Sequence, residues 1–133
     1  MGTLSIVASK KANFVYSIEV NENSHNNALY NKELNNINNI EFMLGKVEDK
    51  IKEINEKIDL IITDPPRSGM DNFTIETILK LETQKLIYMS CEPITLARDL
   101  NILKEKYDIK KIKLFDMFPN TYHVETVCVL ERK

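Results

Sequence analysis

Apolar positions along this chain fall in short continuous runs, separated by stretches in which they recur every three or four residues. The two spacings read as strands and helices in alternation. Residues 3–10, TLSIVASK, give one or two turns of helix. Residues 14–20, FVYSIEV, are rich in aromatic and β-branched side chains and read as a strand whose end carries Glu19. The pattern from Ser24 to Asn36 predicts a helix, capped by Ser24, with Ala28, Leu29 and Leu34 as a partial apolar stripe. IEFMLG (40–45) is a second strand, and VEDKIKEINEK (47–57) a short charged helix with Val47, Ile51 and Ile54 at helical spacing.

The segment IDLIIT (58–63) is almost wholly apolar, the pattern of a central parallel strand buried on both faces. DPPRSG (64–69) is a loop, because two prolines end the ladder and Ser68-Gly69 favours a turn. A helix is expected over 73–81 and a buried strand over KLIYMS (85–90). A further helix starts near Pro93, with Leu96, Leu100 and Leu103 on one side. Strands at 109–118 and 122–132 close the series. Strand–helix alternation implies right-handed crossovers and a mainly parallel sheet. The last two strands are too close for a crossover helix, so they form an antiparallel pair at its edge. In such α/β sheets ligands sit beyond the carboxyl ends of the strands, and Glu19, Asp64 and Cys91 all fall there.

The length of 133 residues gives a single domain, 1–133. The formal net charge of -2 lacks the basic excess that marks many nucleic-acid binders, although local patches matter more than the sum. The two cysteines, Cys91 and Cys128, make no CxxC pair, so a zinc or iron–sulfur site from this chain is not expected. No apolar run reaches the length of a membrane span, and the amino-terminal order of apolar and basic residues is the reverse of a secretory signal. A cytoplasmic location and no membrane partner follow as expectations.

Six positions carry candidate chemistry. Cys91 lies between a strand and a helix, where a helix N-terminus favours the thiolate, so it is either a covalent nucleophile or a buried structural cysteine. Asp64 opens a stiff Asp-Pro-Pro-Arg loop and either accepts hydrogen bonds from a ligand or caps a turn; Arg67 either meets an anion or faces solvent. Glu19 either receives ribose hydroxyls or is an ordinary exposed acid. Glu125 shares a strand face with Val127 and Val129. A carboxylate there is either a base with a raised pKa or sits at the wet end of its strand. His123 either touches substrate or lies on the surface, and Cys128 reads as a core residue. Neither a full GxGxxG nor a GxxxxGK[ST] is present.

These same segments carry a family resemblance. IITDPPRSGMD resembles the Asp-Pro-Pro-Arg-x-Gly motif of the RNA uridine-5-methyltransferases, which make 5-methyluridine in transfer RNA or 23S ribosomal RNA. YMSCEPITLARDL is similar to that family's nucleophile segment, Ser-Cys-Asn-Pro-x-Thr-Leu-Ala-Arg-Asp, and DMFPNTYHVETVCVLERK to its C-terminal Asp-Met-Phe-Pro-His-Thr-x-His-Val-Glu. The three motifs occur in the family's order, and the similarity covers nearly the whole chain. The resemblance implies a Rossmann-like class I methyltransferase sheet lacking its first strand, with S-adenosylmethionine as cofactor and RNA (rRNA or tRNA) as partner. It implies catalytic roles for Cys91 as nucleophile, Glu125 as general base and Asp64 in the crevice. Gly2, as the last glycine of the cofactor loop, Glu19 and Asp64 would bind the cofactor. Pro65, Arg67 and His123 would bind the substrate.

Two positions depart from the motifs. Glu92 stands where the family has Asn, and a carboxylate beside the nucleophile opposes thiolate formation. Asn120 stands where the family has His. The family's first strand, most of its glycine loop and its RNA-binding domain correspond to positions before Met1, and without that central strand the sheet must close up, borrow a partner or remain in two pieces. Two functions therefore compete. One is uridine methylation through a Cys91 adduct. The other is a non-catalytic fragment that forms a homo-oligomer through unpaired strand edges. Methylation of cytosine or of an exocyclic amine is a third, weaker option.

Overall fold

The computed structural model describes residues 2–117, 119–121 and 124–133, arranged as two compact units, 1–55 and 56–133. The first unit holds α1 (Thr3–Ser9), β1 (Val15–Glu19), α2 (Glu22–Leu34), β2 (Ile40–Leu44), α3 (Val47–Lys50) and a 3-10 turn at Ile51–Glu53. β1 and β2 pair in parallel, from Val15 opposite Ile40 to Glu19 opposite Leu44. Their shared core is small: Ala28, Ile40 and Phe42 are buried, with Ile6, Val15 and Ile37 packed against them.

Three expectations for this unit are corrected. The cap of α2 is Asn21 and not Ser24. Asn21 has extended backbone, and its Oδ1 accepts from the Ser24 amide at 3.0 Å, which places Ser24 inside the first turn. Such a cap contributes about 1 kcal/mol. Leu29 and Leu34 are exposed, so Ala28 alone anchors the helix. The helix expected over 47–57 stops at Lys50 and tightens into the 3-10 turn. Neither piece buries a residue, and a short helix without a buried face lacks the packing that sustains it.

The second unit holds β3 (Leu60–Thr63), α4 (Asn72–Leu81), β4 (Lys85–Ser90), α5 (Pro93–Leu103), β5 (Tyr107–Phe115) and β6 (Glu125–Arg132). Its four strands lie in the order β3-β4-β6-β5. β3 and β4 are parallel, while β6 runs antiparallel to both neighbours. The last strand thus enters between β4 and β5, and β5 forms the edge. Side chains alternate along β6, with Thr126, Cys128 and Leu130 buried and Val127 and Val129 only half-buried. Cys128 and Leu130 join Leu86 and Tyr88 of β4, Ile75 and Ile78 of α4, and Leu96 and Leu103 of α5 in one core.

Among the described residues the six strands form two hydrogen-bonded sheets, one in each unit. β3 is not buried on both faces as its sequence suggests. It is the outer strand of its sheet, and Leu60 and Ile62 stay 43% and 36% exposed. β5 is exposed at every residue after Tyr107 and carries an irregularity between Ile109 and Lys111. The strands expected at 109–118 and 122–132 include Phe118, Tyr122 and His123, which lie outside the described residues.

Candidate functional site

Three candidate residues gather at one end of the four-stranded sheet because of how its strands terminate. Asp64 follows Thr63, the last residue of β3, and Cys91 follows Ser90, the last residue of β4. Glu125 opens β6, whose reversed direction brings its first residue to that same end. The final pair of the β4–β6 ladder is Ser90 opposite Thr126. Cys91 and Glu125 are the next residues outward on the two strands. Alternation puts Glu125 on the face of Val127 and Val129, opposite the buried Thr126 and Cys128, the face its parity predicts. Cys128 itself is fully buried, and removal from water raises its thiol pKa, as befits a core cysteine.

Cys91 is a half-buried free thiol at the junction of β4 and α5. The junction is tightly held. Ser90 Oγ donates to the Glu92 carbonyl at 3.0 Å and accepts from the Glu92 amide at 3.1 Å. Glu92 caps α5, with Oε1 accepting from the Ile94 amide at 3.3 Å, a task that Asn performs equally well. Pro93 follows in the first turn, where its missing N–H costs nothing. Asn120, the other departure, sits at φ 69, in the left-handed region that Asn tolerates better than most residues.

Asp64 is exposed overall, yet partial desolvation of its carboxyl raises the pKa above the ordinary carboxylate value. Pro65 is half-buried and Arg67 exposed. His123 lies outside the described residues. The loop from Asp64 to Gly69 rests on α5: the Thr95 hydroxyl donates to the Arg67 carbonyl at 2.9 Å, and Arg98 Nη2 donates to the carbonyls of Ser68 at 2.9 Å and Met70 at 3.0 Å. At its centre is Asp99, fully buried. It accepts from the Met70 amide at 2.8 Å, from the Tyr88 hydroxyl at 2.6 Å and from Arg98 Nε at 2.9 Å. Burial first, and then the bond to Asp99, push the Tyr88 pKa far up, so that hydroxyl remains a donor. Sequence reasoning passed over Asp99, although a signal was present: an acid three residues after Leu96, beside the apolar stripe of α5, demands a buried partner.

Two candidates belong to the first unit. Gly2 precedes α1 at φ 79, and a Cβ there would lie 2.9 Å from the Ala28 Cβ and 3.1 Å from the Phe42 ring, so glycine is needed for both conformation and space. Glu19 closes β1 half-buried. Its Oε1 accepts from the Asn21 amide at 2.8 Å, which orients the carboxylate at the head of α2. Among the described residues no group of His, Cys, Asp and Glu is placed to hold a metal ion. No helix among them is long and apolar enough to cross a membrane.

Over residues 1–133 the sequence matches the tRNA (uracil-5-)-methyltransferase family. The chain belongs to that family. An uncharacterized RNA methyltransferase of Caldanaerobacter subterraneus is 45% identical over 132 residues, covering 98% of this chain and 29% of the relative. One from Clostridium acetobutylicum is 45% identical over 133 residues, covering 99% of this chain and 29% of that protein. The tRNA (uracil-54, C5)-methyltransferase of Pyrococcus abyssi, solved in complex with S-adenosyl-L-homocysteine, superposes with a TM-score of 0.85 at 34% identity, covering 97% of this chain and 31% of that one. The chain thus spans about three tenths of the length of the relatives it matches. The chain has the Rossmann-like methyltransferase fold, a mixed α/β arrangement with parallel and antiparallel strands.

Proposed function

We propose that this chain is the catalytic portion of an S-adenosylmethionine-dependent enzyme that methylates carbon 5 of a uridine in transfer or ribosomal RNA through a covalent Cys91 adduct. The observation that carries this reading is the β4–β6 register, which leaves Cys91 and Glu125 as adjacent positions just past the last strand pair, with Asp64 at the same end of the sheet. Membership of the uracil-5-methyltransferase family supports it.

The residue types suit the chemistry. Carbon 5 of uracil is a weak nucleophile. Addition of the Cys91 thiolate to carbon 6 forms an S–C6 bond and moves the ring's double-bond electrons toward carbon 5, as an enolate. S-Adenosylmethionine supplies, when bound, the electrophilic methyl group that the activated carbon takes up. Glu125 then accepts the carbon-5 proton. The released electron pair restores the C5–C6 double bond, and the S–C6 bond breaks to return the thiolate. Asp64, whose pKa is raised, would exchange hydrogen bonds with a uracil edge or the cofactor, and Pro65 and Arg67 would meet the substrate. The target base must leave its stack to reach a half-buried thiol. In the first unit, Glu19 is fixed at a strand's carboxyl end, where ribose hydroxyls are received in such folds, and Gly2 lets the backbone adopt a turn closed to other residues. Both fit an adenosine-bearing cofactor.

Folded protein incubated with S-adenosylmethionine and RNA containing 5-fluorouridine tests the proposal. Fluorine at carbon 5 cannot leave as a proton, so the methylated adduct persists. Intact mass is expected to show protein plus RNA plus one methyl group, and Cys91→Ala to show none. A folded wild-type chain that gives no adduct refutes this activity.

A second reading, favoured by the position of β3, concerns assembly. With β3 outermost in its sheet and Leu60 and Ile62 exposed, the chain is expected to self-associate through that edge. Sedimentation over a concentration series should show a growing dimer fraction, and a monomer throughout contradicts it.

A further inference from the structure

Thr95, Arg98 and Asp99 share one face of α5, at the three- and four-residue spacings that align side chains on a helix. All three bind the loop between β3 and α4: Thr95 the Arg67 carbonyl, Arg98 the Ser68 and Met70 carbonyls, and Asp99 the Met70 amide, so that Met70 is held on both its backbone groups. Gly69 is pressed against them. A Cβ on it would lie 2.6 Å from Arg98 Nη2 and 2.7 Å from Asp99 Oδ2. The Tyr88 hydroxyl brings in β4, so Asp99 touches the strand leading into Cys91, belongs to the helix leading out of it, and holds the loop that carries Asp64 and Arg67. A carboxylate is unusual at a fully buried position, and here Met70, Tyr88 and Arg98 all direct donors at its two oxygens.

We propose that Asp99 is a positioning residue for methylation: it sets where Asp64 and Arg67 stand relative to Cys91, and so governs addition of the thiol to the uracil ring and not the thiol's own reactivity. This rests on the uridine-methylation reading above. An amide in place of the carboxylate turns an N–H toward at least one of the donors, so Asp99→Asn breaks the clasp while keeping the side chain's shape.

The test combines two measurements on the folded chain, with Asp99→Asn and, as a milder variant that removes the hydroxyl shared by the Arg67 and Glu92 carbonyls, Thr95→Val. Amide hydrogen exchange reads the loop. Exchange at Met70 and its loop neighbours is expected to quicken about tenfold in Asp99→Asn, while the Leu130 amide in β6 holds its protection. Reaction of Cys91 reads the consequence. The rate of adduct formation at saturating 5-fluorouridine RNA should fall about tenfold, with alkylation of Cys91 by iodoacetamide unchanged. Thr95→Val should shift both readouts in the same direction and by less. Unchanged loop exchange overturns the proposal. So does faster exchange with an undiminished adduct rate, or a fall in alkylation matching the fall in adduct rate. If Asp99→Asn does not fold, Thr95→Val decides by the same criteria. If the wild-type chain forms no adduct, the methylation reading fails and this proposal with it, and loop exchange then reports only whether the clasp has a structural role.

Discussion

Gly69→Ala is expected to lower the unfolding free energy of the 56–133 unit by roughly 2–5 kcal/mol. Two costs combine. Gly69 sits at φ 76, where any side chain is strained by about 1–2 kcal/mol. The new methyl group also has no room, since Arg98 Nη2, Asp99 Oδ2 and Thr95 Cβ lie 2.6, 2.7 and 3.1 Å from where it would be. Relief requires the loop to lift from α5, which would leave the buried Asp99 short of the Met70 amide. Denaturant unfolding of the variant beside wild type checks this. A midpoint shift worth less than about 1 kcal/mol would mean that the loop is looser against α5 than its hydrogen bonds indicate.

Leu130→Ala is expected to cost about 2–5 kcal/mol, while Val129→Ala, one residue away, costs clearly less. Leu130 is fully buried, faces Leu86 across the β4–β6 ladder and belongs to the core that includes Tyr88 and Leu103. Truncating it leaves a cavity that the helices above cannot fill without moving. Val129 points to the other face and is only half-buried, so its loss opens little space. Equal midpoint shifts for the two variants in urea would contradict the assignment of β6's inner face.

The contrast between those neighbours is legible in YHVETVCVL, because strand alternation is a strict two-residue rule that tertiary context seldom overrides. The same rule places Glu125 on the face opposite Cys128. The strand-end positions of Glu19, Asp64 and Cys91 are legible too, since prolines and capping residues punctuate the chain beside the last two. What the pattern conceals has physical causes. IDLIIT reads as buried on both faces because its composition answers to the strand's neighbours, and β3 has only β4 beside it within its sheet. The helix after Val47 looks regular because its periodicity is real, but it has no buried face to hold it. Ser24 and Asn21 are both good capping residues, and only backbone conformation chooses between them. The Asp99 clasp joins residues some thirty positions apart, and no local periodicity encodes which loop a helix will grip.

The insertion of β6 between β4 and β5 also has a temporal side. β5 and β6 are nearly consecutive, so their pairing closes a short loop, whereas β4 must wait for β6 across the whole of α5 and β5. Distant pairings come late because the chain entropy of closing the loop is lost before contacts repay it. Cys91 directly follows β4 and Glu125 opens β6, the two strands of that late pairing. A partly folded chain therefore holds Cys91 and Glu125 apart, and the finished β4–β6 ladder is what brings the two positions next to each other.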